Sequence, residues 1–165
     1  MNVRLAAQTL NNSVADAIDF LCQDEGYPNF QGSAATTDFI RKIDILFDLC
    51  NSKTPFAKGT KSRIDKYNLH QKIQKFDELC EYLKELTDVS GQSLVSGRRK
   101  TPFVGLLVTS ISVCAICKNL LQREYSPLTY VLTVRFSQDH LERLFSRIRR
   151  KGGWNNNLNV LQLKW

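Results

Sequence analysis

No secretory or transit pattern opens this sequence, and no uninterrupted apolar run of membrane-spanning length occurs in it. The nearest approach, Phe103 to Leu121, is broken by Thr109, Ser110, Ser112, Lys118 and Asn119. It reads as a buried core helix, and no membrane partner is expected. A zinc site is also incomplete. Cys114-Ala-Ile-Cys117 has C-x-x-C spacing, but no second such pair or paired histidine accompanies it, and structural zinc needs four ligands. Cys22, Cys50, Cys80, Cys114 and Cys117 form an odd set, read most simply as reduced thiols of a cytosolic or nuclear protein. A phosphate-binding loop is missing as well. Lys58-Gly59-Thr60-Lys61-Ser62 echoes its second half, but the earlier glycine of G-x-x-x-x-G-K-[ST] is absent and no strand precedes it. There is no internal repeat, no low-complexity tract and no base-reading motif.

What is present is basic charge and helical periodicity. The 165 residues carry a net charge of +7, which points to a polyanionic partner. The charge is uneven. Arg98-Arg99-Lys100 and residues 143–151 form dense clusters, residues 53–75 a looser one, and the first fifty residues are slightly acidic. Val3 to Gln23 has apolar residues at helical spacing, with Asn11-Asn12-Ser13 breaking or recapping the helix before Val14. Gly26-Tyr27-Pro28-Asn29 is a turn, and Thr36 to Asn51 a second helix. Tyr67 to Val89 is the clearest helix, striped by Leu69, Ile73, Phe76, Leu79, Leu83 and Leu86, as a core helix or a partner-binding face. Tyr130 to Thr133 reads as a short extended link. A helix over 137–150 follows, stopped by Gly152-Gly153, with Asn155-Asn156-Asn157 before a last short helix. The chain is therefore expected to be mainly α.

The final helix has two readings. Asp139 and Glu142 are three apart and share a face, opposite the stripe of Leu141, Leu144, Phe145 and Ile148. Arg143, Arg147, Arg149, Arg150 and Lys151 surround them. Carboxylates for Mg²⁺ beside cations for a phosphate backbone suit metal-dependent phosphoryl transfer. Acidic first turn, basic last turn and Ser137 as N-cap equally suit an ordinary well-capped helix.

Three blocks decide between them. The first is Asn2-Val3-Arg4-Leu5-Ala6-Ala7-Gln8-Thr9-Leu10 with Ser13-Val14-Ala15. The second is Thr37-Asp38-Phe39-Ile40 with Leu46-Phe47-Asp48-Leu49-Cys50-Asn51. The third runs from Leu132-Thr133 through Phe136-Ser137-Gln138-Asp139-His140-Leu141-Glu142 to Arg149, Gly152-Gly153 and the asparagines. In order and rough spacing they resemble the P-element-type DNA transposases, which include the THAP-domain transposases. The resemblance implies a helical GTP-binding insertion domain over residues 1–128. It implies that residues 129–165 are a C-terminal segment of an incomplete RNase H-like catalytic domain.

It also implies residue roles. Glu142 matches the last acidic residue of the catalytic triad, a ligand for Mg²⁺. Phe47, Asp48 and Asn51 match nucleotide-contacting positions, and Asp139 a position on the GTP side. Val3 lies beside another nucleotide-facing stretch, where this chain has Asn2 in place of a frequent lysine. The triad's two aspartates and the zinc-coordinating THAP module have no counterpart in these residues. The chain is thus expected to be a fragment or truncated derivative, binding GTP and DNA without catalysis alone. The alternative is a domesticated helical interaction or DNA-binding module without nucleotide. Arg98, Arg99, Lys100, Arg147 and Arg150 are the expected contacts to DNA phosphates, without sequence specificity. Nuclear residence is expected, and self-association through the exposed apolar stripe of the last helix.

Overall fold

A computed structural model describes residues 8–123 and 125–151. The expectations for Val3, Gly152-Gly153 and the asparagine run lie outside these residues. The chain divides into two compact units, Met1–Thr133 and Val134–Trp165. It is mainly α, as expected.

Gln8 and Thr9 are helical, the chain bends at Leu10 and Asn11, and α1 then runs over Asn12–Gln23. The Asn11-Asn12-Ser13 signal proves to be a start: Asn11 caps the helix, its Oδ1 accepting the Val14 N–H at 3.0 Å. Gly26, at φ 64°, and a 3-10 turn at Pro28–Phe30 reverse the chain into α2, Ala34–Cys50. The two helices are clasped by charge. The Arg41 guanidinium reaches Asp16 at 2.6 Å and Asp19 at 2.8 Å.

A polar connection with a 3-10 turn at Gly59–Lys61 leads to β1, Ile64–Asp65, and α3, Leu69–Glu85. α4 spans Lys100–Leu121, with Pro102 tolerated in its first turn. β2, Tyr130–Val131, pairs antiparallel with β1, Ile64 opposite Val131 and Asp65 opposite Tyr130.

One core serves this unit. It joins Leu46 and Leu49 of α2, Ile64 of β1, Leu69, Phe76, Leu79 and Leu83 of α3, Val113, Cys117 and Leu121 of α4, and Val131 of β2. The apolar stripe of α3 is thus a core stripe. Thr133 adds a polar tie: its hydroxyl donates to the Leu49 carbonyl at 2.8 Å and accepts the Ser52 N–H at 2.9 Å. Those groups lie at the end of α2, where helical partners run out.

α4 departs from the expectation of a helix buried all round. Ser110, Val113, Cys117 and Leu121 face the core, but Val104, Val108, Ile111 and Ile116 are exposed. By length and composition α4 could cross a membrane, although its inner side is packed against α3. All five cysteines are free, and Cys80 and Cys117 are buried.

The second unit carries α5, Asp139–Lys151. The helix starts two residues after Ser137, whose hydroxyl accepts the Asp139 N–H at 3.4 Å. Leu141, Leu144 and Phe145 are exposed.

Candidate functional site

The last turn of α2 builds an acceptor-rich corner. Its final carbonyls have no helical partners and carry the negative end of the helix dipole. Asp48 sits there with its side chain only 14 % exposed. Asn51 closes the helix, its N–H donating to the Asp48 carbonyl at 3.2 Å. Phe47 is exposed.

A loop with no expected role holds the carboxylate. Gly59 takes φ 62°, a left-handed conformation that suits glycine, and starts the turn. Thr60 Oγ1 then donates to Asp48 Oδ2 at 3.0 Å, and Lys61 Nζ lies 3.6 Å from Asp48 Oδ1. Lys72 anchors the turn from α3. Its ammonium donates to the carbonyls of Gly59 at 2.8 Å and Thr60 at 2.9 Å. Burial lowers the Lys72 pKa from the usual lysine value, against a smaller opposing pull from Asp48. A cavity of about 580 Å³ opens between this loop and α3, its walls including Gly59, Thr60, Gln71 and Lys72; Phe47, Asp48, Asn51 and Lys61 are not among its lining residues.

Thr60, Lys61 and Lys72 escaped the sequence reading. The failed phosphate-loop motif flagged the right loop for the wrong chemistry: it grips a carboxylate. Lys72 left a fainter signal. It stands three residues after Leu69 and four before Phe76, and so on the buried face of α3.

Chemically the corner offers acceptors at its heart. Asp48 accepts one hydrogen bond, from Thr60, and faces Lys61 as an ion pair, leaving capacity for further donors. The N1–H and exocyclic amine of a guanine are such donors, the Asn51 amide can bond either way, and the exposed Phe47 ring can stack.

The remaining expected residues lie elsewhere. Asp139 and Glu142 are exposed in the first turn of α5, in the second unit. Among the described residues no group of three or more His, Cys, Asp or Glu could hold a metal ion. Two carboxylates on one exposed turn do not make a two-ion cage, so the Mg²⁺ donor set is incomplete here. Arg98, Arg99 and Lys100 are exposed where α4 begins, and Arg147 and Arg150 are exposed on α5.

Comparison with known proteins points to one family. Residues 1–63 match the family described as "TNP-like, GTP-binding insertion domain", and residues 134–165 match "TNP-like, RNase H C-terminal domain". The human DNA transposase THAP9 is 30 % identical over 154 residues, 91 % of this chain and 16 % of the relative. The transposable element P transposase of Drosophila melanogaster is 28 % identical over 164 residues, 99 % of this chain and 20 % of the relative. The chain thus spans a fifth or less of these curated relatives. Among solved structures, the Drosophila P element transposase strand transfer complex matches with a TM-score of 0.72 at 26 % identity, covering 99 % of this chain and 35 % of that one. The chain is thus similar to the P-element-type DNA transposases, with matches to their GTP-binding insertion domain and the C-terminal part of their RNase H-like domain.

Proposed function

We propose that the chain is a P-element-type transposase derivative that binds GTP at the Asp48 corner and contacts DNA without cutting it alone. The carrying observation is the Asp48 carboxylate, largely covered and fixed by Thr60 and Lys61, between exposed Phe47 and the helix-ending Asn51. A carboxylate pairs with the two donors on a guanine edge, which adenine does not offer, so GTP is expected over ATP. Phe47 stacks on the base and Asn51 bonds its edge. Roles for Asp139 and Val3 on the nucleotide rest on the family resemblance. So do Glu142 as one ligand of a Mg²⁺ site completed by other residues, and the boundary between residues 128 and 129.

Calorimetric titration of GTP and ATP into the chain tests this. GTP should bind with Mg²⁺ present, ATP at least tenfold more weakly, and Asp48→Ala should lose tenfold or more. Absence of GTP binding by the unmodified chain sinks the reading. It would select the alternative of a helical interaction module, which the exposed Val104, Val108 and Ile111 of α4 favour.

DNA contact has its own physical support. Arg98, Arg99 and Lys100 crowd the positive end of α4, whose first turn holds no acidic residue. That placement opposes the helix dipole and suits a bound phosphate. Binding to phosphates carries no sequence preference. Action on DNA places the protein in the nucleus, and the exposed Leu141, Leu144 and Phe145 favour self-association.

A further inference from the structure

A second site lies where α3 begins and α4 ends. Lys66 and His70 approach from the α3 side, Lys118 from the last turn of α4, and Arg123 from just beyond it. They line a cleft of about 690 Å³ together with the apolar Leu69 and Leu121, and among the described residues no carboxylate lines it. A neighbouring hollow of about 440 Å³ shares Lys118 and Arg123, so the basic lining continues past the end of α4.

These cations differ from six others of the first unit. Arg41, Lys42, Lys61, Arg63, Lys75 and Lys84 each pair with a carboxylate. Among the described residues Lys66, Lys118 and Arg123 take part in none of the ion pairs. The start of α3 adds to the field. Asn68 makes no side-chain cap and the first turn holds no acidic residue, and the Asp65 carboxylate just ahead accepts the Tyr67 and Asn68 N–H groups at 3.0 and 3.1 Å, so the positive helix end is only partly compensated. Lys118 also complements the negative end of α4, but Lys66 and His70 have no such role.

Two tyrosines stand in sequence beside the cations. Tyr67 follows Lys66 and is 99 % exposed; Tyr125 comes two residues after Arg123 and is 89 % exposed. A ring that bare gains nothing for the fold and is open to stack on a planar ligand. Cations lining a concavity, with exposed aromatic rings next to them in sequence, match what an unpaired strand requires. A duplex keeps its bases stacked inside and offers such a cleft only phosphates.

We propose that this cleft is a binding site for single-stranded DNA. Lys66, Lys118 and Arg123 hold successive phosphates, and Tyr67 and Tyr125 stack unpaired bases. The proposal deepens the DNA-binding reading and rests on it, but assigns the contact to residues outside the Arg98-Arg99-Lys100 cluster.

Fluorescence anisotropy with a labelled oligothymidylate of about twelve nucleotides and a duplex of equal length tests the assignment. The single strand should bind more tightly than the duplex. Replacing Lys66, Lys118 and Arg123 together by alanine should flatten the log affinity against log salt slope by about 2, near 0.7 per lost contact. Replacing Tyr67 and Tyr125 by alanine should weaken the single strand about tenfold or more and leave the slope unchanged. All five side chains are exposed, and far-UV circular dichroism verifies that the variants fold. If the cleft variants change nothing while Arg98→Ala/Arg99→Ala/Lys100→Ala abolishes binding, the cleft is wrong and the DNA reading stands. If the unmodified chain binds no DNA, both fall. If an oligoribonucleotide of the same length binds more tightly than DNA, the assignment to DNA is overturned.

Discussion

The Asp48 corner and the Lys66 cleft draw on the same helix, α3, and the same kind of side chain, yet they treat charge in opposite ways. At the corner every cation has an internal partner: Lys72 holds the carbonyls of Gly59 and Thr60, and Lys61 lies against Asp48. Around the cleft, Lys66, Lys118 and Arg123 have no carboxylate partner among the described residues. A cation with internal bonds is part of the scaffold, and its loss leaves acceptors stranded. A cation without them adds little to the fold beyond any charge it places at a helix end, and is open to a ligand. Stability and binding should therefore respond to different residues, which is open to direct attack.

The largest effect is expected at Lys72, which is 7 % exposed. Lys72→Met keeps the aliphatic stem but strands the Gly59 and Thr60 carbonyls. Urea unfolding should show a loss of about 3 kcal/mol, from two abandoned acceptors partly offset by removal of a buried charge. Lys61→Met, by contrast, removes an ion pair whose lysine is 66 % exposed and should change stability by less than about 1 kcal/mol. Equal effects would show that depth of burial does not divide the two lysines. Because Lys72 positions the loop that carries Thr60, Lys72→Met should also weaken GTP where the protein remains folded.

Much of this was legible in the sequence. The α3 stripe was, because a 3.6-residue period records which side meets the core. So was the recapped start at Asn11, since a side-chain oxygen there can satisfy an early helix N–H. α4 was only half legible. It is apolar on both faces, and composition alone cannot tell a core face from an exposed one. At the site, Phe47, Asp48 and Asn51 came from family resemblance, whereas Thr60 and Lys72 did not. Their roles depend on bonds between residues 12 and 13 positions apart, set by where a loop lands on a helix. The Lys66 cleft was hidden for a similar reason, because it gathers residues 66–73 and 118–123 from two distant segments.

Alkaline pH sharpens the comparison by a different route, because buried thiols and a buried lysine pull in opposite directions. Burial pushes Cys50 and Cys117 up to about 11 and Cys114 to about 12, from an ordinary 9.0. Below pH 9 these thiols are protonated whether the chain is folded or not. Above it the unfolded chain gives up protons that the folded chain retains, so stability falls as the pH rises towards 11–12. Lys72, lowered from 10.5, acts the other way and favours folding slightly more as that pH is approached. Three thiols outweigh one lysine. Denaturant midpoints should show a net loss of about 2 kcal/mol between pH 8 and pH 10.5. Cys50→Ala should reduce the slope of that loss, whatever it does to stability at neutral pH. A flat profile would mean that the thiols are as hydrated as in the unfolded chain.

The smallest expected effect is the most discriminating. Replacing Lys66, Lys118 and Arg123 by alanine removes three exposed charges that share one cleft and have no carboxylate partner among the described residues. If they served the fold, each loss would lower stability, as Lys72→Met is expected to do. If they are held for a ligand, their mutual repulsion is a slight burden on the free protein, and relieving it should raise stability by a few tenths of a kcal/mol. Repulsion between exposed charges is screened, so the gain should be visible near 0.01 M salt and vanish near 1 M, where the Debye length is about 3 Å. A loss above about 1 kcal/mol at any salt concentration would place these residues in the scaffold and erase the distinction between corner and cleft.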